Sequence, residues 1–252
     1  MKPVTLSFAV ALVLAAMPLV SFAQEAEAVV EEEAESPISV SLAATTDYVF
    51  RGVSQTDNGP AFQAGLNYSA PFGLYAGVWG SNVDFGEGGP NFEVDYYAGW
   101  NKDLNDAWNL DLGVTRYTYE SADSGYGDID YNEYIAKLSW SGPVTVGGIL
   151  AFADDYSNTG AEETYAGLSV GYDIGETGFS LGASTGYTSI KAENDGGRAD
   201  YFDGAFTVSK GFGPATATLG YYDTFGSDAD ELRSGSDIYK PGLVLTVAVA
   251  VP

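Results

Sequence analysis

The sequence predicts an all-β chain, a transmembrane antiparallel up-and-down β-barrel of about 12 strands. Three observations carry that expectation. Long stretches alternate apolar and polar residues with the two-residue period of a strand whose faces differ. Their apolar faces run to about a dozen residues and end in aromatic rings, the profile of a strand crossing a hydrocarbon layer at a tilt. The breaks between them alternate short turns with long polar loops, as on the two sides of an outer-membrane barrel.

The chain opens with Lys2, an apolar run over residues 6–20 and Ser21-Phe22-Ala23 ahead of Gln24. This predicts a secretory signal peptide over residues 1–23. Residues 24–37 form an acidic N-terminal tail with Glu25, Glu27, Glu31, Glu32, Glu33 and Glu35. A solvated tail is expected there, with a short pore-plugging helix as the alternative. Pro37 separates the tail from the barrel, residues 38–252.

The first strand is expected over residues 38–51, where Ile38, Val40, Leu42, Ala44, Thr46, Tyr48 and Phe50 alternate with Ser39, Ser41, Ala43, Thr45, Asp47, Val49 and Arg51. After a polar break at 52–60 the alternation resumes with Phe62, Ala64, Leu66 and Tyr68. The strand that follows the turn near 70–73 has ambiguous parity: Leu74, Ala76 and Val78, or Tyr75, Trp79 and Val83, face outward. Phe92, Val94, Tyr96, Ala98 and Trp100 then oppose Glu93, Asp95 and Tyr97, and Trp108, Leu110, Leu112 and Val114 oppose Asn109, Asp111 and Gly113. Asn132, Tyr134, Ala136, Leu138 and Trp140 oppose Glu133 and Lys137, and Thr164, Ala166, Leu168, Val170 and Tyr172 oppose Glu163 and Tyr165. Further strands are expected at 144–152, 179–188, 200–210, 215–223 and 243–251. Short turns fall near 70–73, 103–107, 141–143, 175–178 and 211–214. Long loops fall near 52–60, 84–91, 120–128, 154–162, 189–199 and 224–240, and no helical period lies between the strands. Both ends of the barrel then lie on the short-turn side. Closure is required, because an open edge in lipid would leave unpaired backbone groups at several kcal/mol each.

The aromatics sort into two girdles. Tyr68, Trp100, Trp108, Trp140, Tyr172 and Phe179 flank short turns and are expected at one membrane interface, while Phe50, Phe62, Phe92, Phe152, Tyr187 and Phe202 lie near long loops.

Composition narrows the function. With 10 Lys plus Arg against 35 Asp plus Glu, the formal charge is −25, which repels nucleic acid. The chain has no His and no Cys. Hydrolysis through a histidine base is thereby excluded, and zinc, copper and haem lose their usual ligands. No enzyme, cofactor or metal is expected. Loop carboxylates at Asp84 and Glu87, Asp154 and Asp155, or Asp228, Asp230 and Glu231 match no calcium-loop spacing.

Residues 41–85 resemble the opening of the TorF family of proteobacterial porins, through TDYVFRGVSQ, GLYAGVWGSNVDF and the following FEVDYYAGW. A weaker similarity extends over most of the mature chain, including YYDTFGSDAD. The resemblance implies an outer-membrane channel without catalytic residues. One departure concerns the end of the chain: such barrels usually finish on an aromatic residue recognised by the outer-membrane assembly machinery, whereas this sequence finishes on Pro252.

Strand parity points Asp47, Glu93, Asp95, Asp111, Glu133, Glu163 and Asp203 into the lumen, against Arg51 and Lys137. Such a surplus of carboxylates favours cation entry. The expectation is a weakly cation-selective porin in the outer membrane, with lipid, lipopolysaccharide, the assembly machinery and small ions or solutes as partners. The alternative is a non-conducting structural or adhesive barrel whose acidic loops bind divalent cations, lipopolysaccharide or a partner. A closed structural barrel in which Arg51 pairs with Asp47 or Glu93 and Lys137 with Glu133 is the other reading of the lumen charges. Lumen glycines at 65, 99, 113, 167, 182 and 186 suggest open space, which Tyr75, Tyr97, Tyr165 and Tyr201 are able to fill.

Overall fold

A computed structural model describes residues 36–120, 122–123, 125–192 and 198–251. The expected signal peptide and all but the last residues of the acidic tail lie outside them. The barrel strands are β1 (Ile38–Thr45), β4 (Ala61–Ser69), β5 (Leu74–Asn82), β6 (Phe92–Asp103), β7 (Trp108–Glu120), β8 (Tyr131–Ser141), β9 (Thr145–Tyr156), β10 (Ala161–Asp173), β11 (Phe179–Ala192), β12 (Arg198–Phe212), β13 (Ala215–Phe225) and β14 (Gly242–Val251). Each pairs antiparallel with its neighbours in sequence, and β1 closes the ring by pairing with both β4 and β14. Closure removes both sheet edges, so every strand finds backbone partners on two sides. Val40 faces Val251 across the closing seam, which puts both ends of the barrel on the short-turn rim.

The period-2 pattern decides which side chains leave the wall. Leu42, Phe62, Leu66, Leu74, Leu112, Leu150, Leu168, Phe206, Leu219 and Leu243 are all exposed on the outside. Together they form a continuous apolar band, far beyond the scattered greasy residues of an ordinary soluble surface. The parity of β5 is resolved by register: Trp79 lies opposite Gly65 and Asp95 and is buried inside, so Leu74, Ala76 and Val78 face out.

Three expectations are corrected. The first strand stops at Thr45 rather than continuing to Arg51. There the chain leaves the wall, and residues 46–60 fold into the barrel mouth as a small hairpin of β2 (Val49–Phe50) and β3 (Val53–Ser54). Phe50, expected in the outer girdle, sits on this hairpin with its ring centroid 6.2 Å from that of Tyr117. The loop expected at 154–162 shrinks to a tight turn, because β9 runs on to Tyr156 and β10 restarts at Ala161. Ser157, Asn158 and Gly160 take the positive φ that so tight a reversal needs. The last long loop contains a helix, α1 (Ser227–Gly235), where no helical period was expected. Its Ala229 packs with Val53 and Tyr201, seating the helix on the inserted hairpin.

Candidate functional site

The hairpin is built from local hydrogen bonds before it makes any long-range contact. Asp47 Oδ1 accepts from Ser54 Oγ at 2.6 Å and Thr56 Oγ1 at 3.0 Å, so this carboxylate braces the base of the loop instead of lining a strand. Burial raises its pKa, and the two hydroxyl donors oppose that rise. The backbone N–H of Gln55 donates to the Tyr48 carbonyl at 2.6 Å, and that of Tyr48 to Thr56 Oγ1 at 3.1 Å. At the tip, Arg51 (φ 48°) and Gly52 (φ 78°) form a two-residue reversal with both φ angles positive, the geometry that matches strand twist. Gly52 is required on a second count. A Cβ there would lie 2.8 Å from Thr224 Cγ2 and 2.9 Å from Asp203 Cβ.

This tip delivers Arg51 to the barrel interior, 6% exposed. Its Nη2 donates to Glu133 Oε1 at 2.6 Å, and Nη1 lies 3.1 Å from Glu163 Oε2 as an ion pair. The guanidinium carbon stands 4.3 Å from the centre of the Tyr165 ring and 4.6 Å from that of Phe50. Tyr117 donates its hydroxyl to the second oxygen of Glu133 at 3.1 Å, fixing that carboxylate. One step along the hairpin, Tyr48 donates to Glu93 Oε1 at 2.9 Å and packs edge-on against Trp79.

The predicted residues therefore fall into two tiers. Glu93, Asp95, Glu133, Glu163 and Asp203 sit inside the barrel on the long-loop half, all buried, and two of them, Glu133 and Glu163, pair with Arg51. Tyr165 donates to Asp203 Oδ1 at 3.4 Å, while Asp95 Oδ1 has no hydrogen-bond partner among the described residues. Asp111 and Lys137 face each other across β7 and β8 in the other half. There Asp111 accepts from Tyr75 Oη at 3.0 Å and Asn101 Nδ2 at 3.1 Å. The pairing expected for Arg51 changes: its partners are Glu133 and Glu163, not Asp47 or Glu93, because the arginine reaches the lumen on an inserted turn rather than on β1. Among the described residues no three acidic side chains gather closely enough to hold a metal ion. The six aromatics expected at one interface, Tyr68, Trp100, Trp108, Trp140, Tyr172 and Phe179, sit near the short turns, and Trp100 Nε1 donates to the Phe72 carbonyl at 3.0 Å.

Four of the expected lumen glycines, Gly99, Gly113, Gly167 and Gly186, make ring sockets instead of open space, while Gly182 faces Thr207 and Gly65 faces Ser41. A Cβ at Gly113 would meet the Tyr75 hydroxyl at 2.9 Å, and one at Gly167 would lie 3.0 Å from the Tyr165 ring. Gly99 is likewise covered by Tyr75, and Gly186 by Tyr165. Glycine opposite a large ring lets the ring lie flat against the wall. With the rings and the hairpin in place, the interior retains small cavities. One, lined in part by Tyr75, Tyr97, Asp111 and Lys137, has room for about one water.

The hairpin is the part of this site that parity missed. Tyr48 and Phe50 continue the alternation of β1, so nothing local marks the departure from the wall. The available signal was electrostatic, since buried carboxylates need a cation partner and Arg51 is one of four arginines in the sequence.

Fold and interior together define a closed barrel of twelve strands with an acidic, loop-filled lumen, an architecture found in outer-membrane porins. The chain belongs to the Gcw_chp family, described as bacterial proteins of unknown function, whose model matches residues 31–250. No curated relative matches it. Among solved structures it is similar to the KdgM porin, with a TM-score of 0.55 at 7% identity over 85% of this chain and 98% of that one. The NanC porin gives a TM-score of 0.53 at 15% identity over 85% and 99% of the two chains. A structure of the KdgM porin in complex with disordered oligogalacturonate gives 0.51 at 8% identity, over 85% of this chain and 98% of that one.

Proposed function

We propose that this protein is an outer-membrane porin that passes small ions or small cationic or neutral solutes passively, with a bias toward cations, and that the hairpin-filled state is its closed form. The observation that carries the reading is the interior charge. Five buried carboxylates, Glu93, Asp95, Glu133, Glu163 and Asp203, share the long-loop half of the lumen with one guanidinium, paired to Glu133 and Glu163, and such a surplus of acidic groups favours cations over anions. The exterior supports the location, because a continuous apolar band on a closed barrel is at its lowest free energy in lipid. The resemblance of residues 41–85 to the TorF porins supports both. In this reading residues 1–23 direct export, residues 24–37 are a solvated acidic lead, the assembly machinery inserts the barrel, and lipid and lipopolysaccharide surround it. No catalytic step is assigned.

A second reading is favoured by the filled lumen: a non-conducting structural barrel whose inserted hairpin acts as its core. Solute flux separates the two. The mature chain reconstituted in a planar bilayer under a potassium chloride gradient is expected to give discrete current steps whose reversal potential favours potassium, weakened by Glu93→Gln with Asp95→Asn. A reversal potential favouring chloride overturns the selectivity, and a silent membrane with verified insertion favours the structural barrel.

A further inference from the structure

The pocket that holds Arg51 has the parts of a receptor for an organic cation. Two carboxylates from β8 and β10 meet different nitrogens of one guanidinium, Glu133 at 2.6 Å and Glu163 at 3.1 Å. The flat face of the cation lies over Tyr165, 4.3 Å from the ring centre. The receptor side is held by the wall and not by the hairpin. Tyr117 fixes Glu133 through its hydroxyl, and Glu163 stands opposite the fully buried Ala153.

Holding the hairpin down does not explain a charge at its tip. The loop is anchored elsewhere, by Tyr48 on Glu93, by Val53 in the cluster with Tyr201 and Ala229, and by Asp47 at its base. A buried ion triad commonly stabilises no better than an apolar tip of the same volume, because desolvation offsets the attraction. The charge therefore needs a reason beyond stability. Asp203, also buried, stands beside the tip at Gly52, so a further acidic side chain borders the site while Arg51 is in place.

We propose that Glu133, Glu163 and Tyr165 form a binding site for guanidinium-bearing solutes, with Arg51 as its tethered occupant, so that such solutes compete with the hairpin for the lumen. The proposal rests on reading the barrel as a channel and names a solute class for it. Guanidinium is favoured over a hydrated alkali ion by its planar, two-pronged donor set, weak hydration and affinity for a ring face.

The test uses the mature chain carrying Arg51→Ser and guanidinium chloride at low millimolar concentration, far below denaturing levels. In detergent, guanidinium is expected to raise the thermal unfolding midpoint of Arg51→Ser by several degrees. Urea, equal in shape but uncharged, and an equal concentration of potassium chloride do not. Wild type, whose site is filled, does not respond, and adding Glu133→Gln with Glu163→Gln abolishes the effect. In bilayers the current of Arg51→Ser is expected to be blocked by guanidinium and not by urea. If Arg51→Ser folds poorly, folding yield becomes the readout, and guanidinium but not urea restores it. Absence of any selective response to guanidinium in stability, folding yield or current overturns the site. Selective stabilisation with no current from any variant leaves the site standing and defeats the channel reading instead.

Discussion

On the long-loop half of the lumen the strands present Trp79, Tyr117, Tyr131, Tyr165 and Tyr201 together with Glu93, Asp95, Glu133, Glu163 and Asp203. On the short-turn half the same wall presents Ser139, Gly147, Ser169, Ser180, Ser209 and Thr218, with the last two hydroxyls 2.9 Å apart. The first half is assembled like a protein core, from rings packed on glycine or on one another, and it closes around an inserted loop. Tyr117 and Tyr131 stack there with centroids 4.6 Å apart. The second half holds one ring on glycine, Tyr75 over Gly99 and Gly113, and the facing Asp111 and Lys137, and the rest of its wall is mostly small hydroxyl groups that share hydrogen bonds as readily with water as with each other. One barrel thus carries a densely filled half above a more polar one, and disturbing the two should cost very different amounts.

The largest effect is expected at the ion triad. Glu133→Ala removes the shorter of the two contacts to Arg51 and leaves a buried guanidinium half paired, with Tyr117 losing its acceptor as well. Breaking one arm of a buried pair costs about 3–5 kcal/mol. Urea titration of the detergent-folded protein should show that loss, and a drop under about 1 kcal/mol would mean the triad is wetter than its burial implies.

Gly52→Val comes next. It combines a positive φ, which costs a residue with a Cβ about 1–2 kcal/mol, with overpacking against Thr224 and Asp203, which adds roughly 1–3 kcal/mol. The barrel wall is untouched, so the expected outcome is a folded barrel with the hairpin expelled. Protease cleavage within residues 46–60 and a larger bilayer current would report it. A protease-resistant loop with wild-type current would show that the turn accepts a side chain.

Tyr48→Phe is milder. It removes the hydroxyl donated to Glu93 but keeps the ring on Trp79, leaving one buried carboxylate short of a donor. About 1–3 kcal/mol is expected by the same titration. Because the ring contact persists, the hairpin should stay in place and the conductance stay near that of wild type.

The two halves were not equally legible from the sequence. Strand existence, the closing partners and, outside β5, parity follow from alternation, as at Phe92 to Trp100 against Glu93 and Asp95, because a clean two-residue period on a closed barrel leaves one assignment of faces. Asp47 and Arg51 were placed on the right side of the wall for the wrong reason. Their apparent parity is accidental, since TDYVFRGVSQ continues the pattern of β1 while folding as a separate hairpin. The contacts this hairpin makes with the wall are 45 residues away in sequence from Tyr48 to Glu93 and 82 from Arg51 to Glu133, and no local period encodes such contacts. The stretch that carries the most specific resemblance is also the one that fills the lumen. The same blind spot hid α1, which is short and seated by Ala229 on the hairpin, so its stability comes from tertiary packing more than from its own pattern.

The smallest effect is expected in the polar half, and it tests whether the contrast between halves is real. Asp111→Asn keeps the shape and one acceptor oxygen, so one of the bonds from Tyr75 and Asn101 survives, at a net cost of about 1 kcal/mol. It also removes the carboxylate facing Lys137 across β7 and β8. The ammonium then adds an uncompensated positive charge below the hairpin, which should shift the reversal potential toward chloride while the hairpin stays protease-resistant. A variant that instead loses as much stability as Glu133→Ala would show that the short-turn half is as tightly organised as the long-loop half, and the division of the lumen into two tiers would fail.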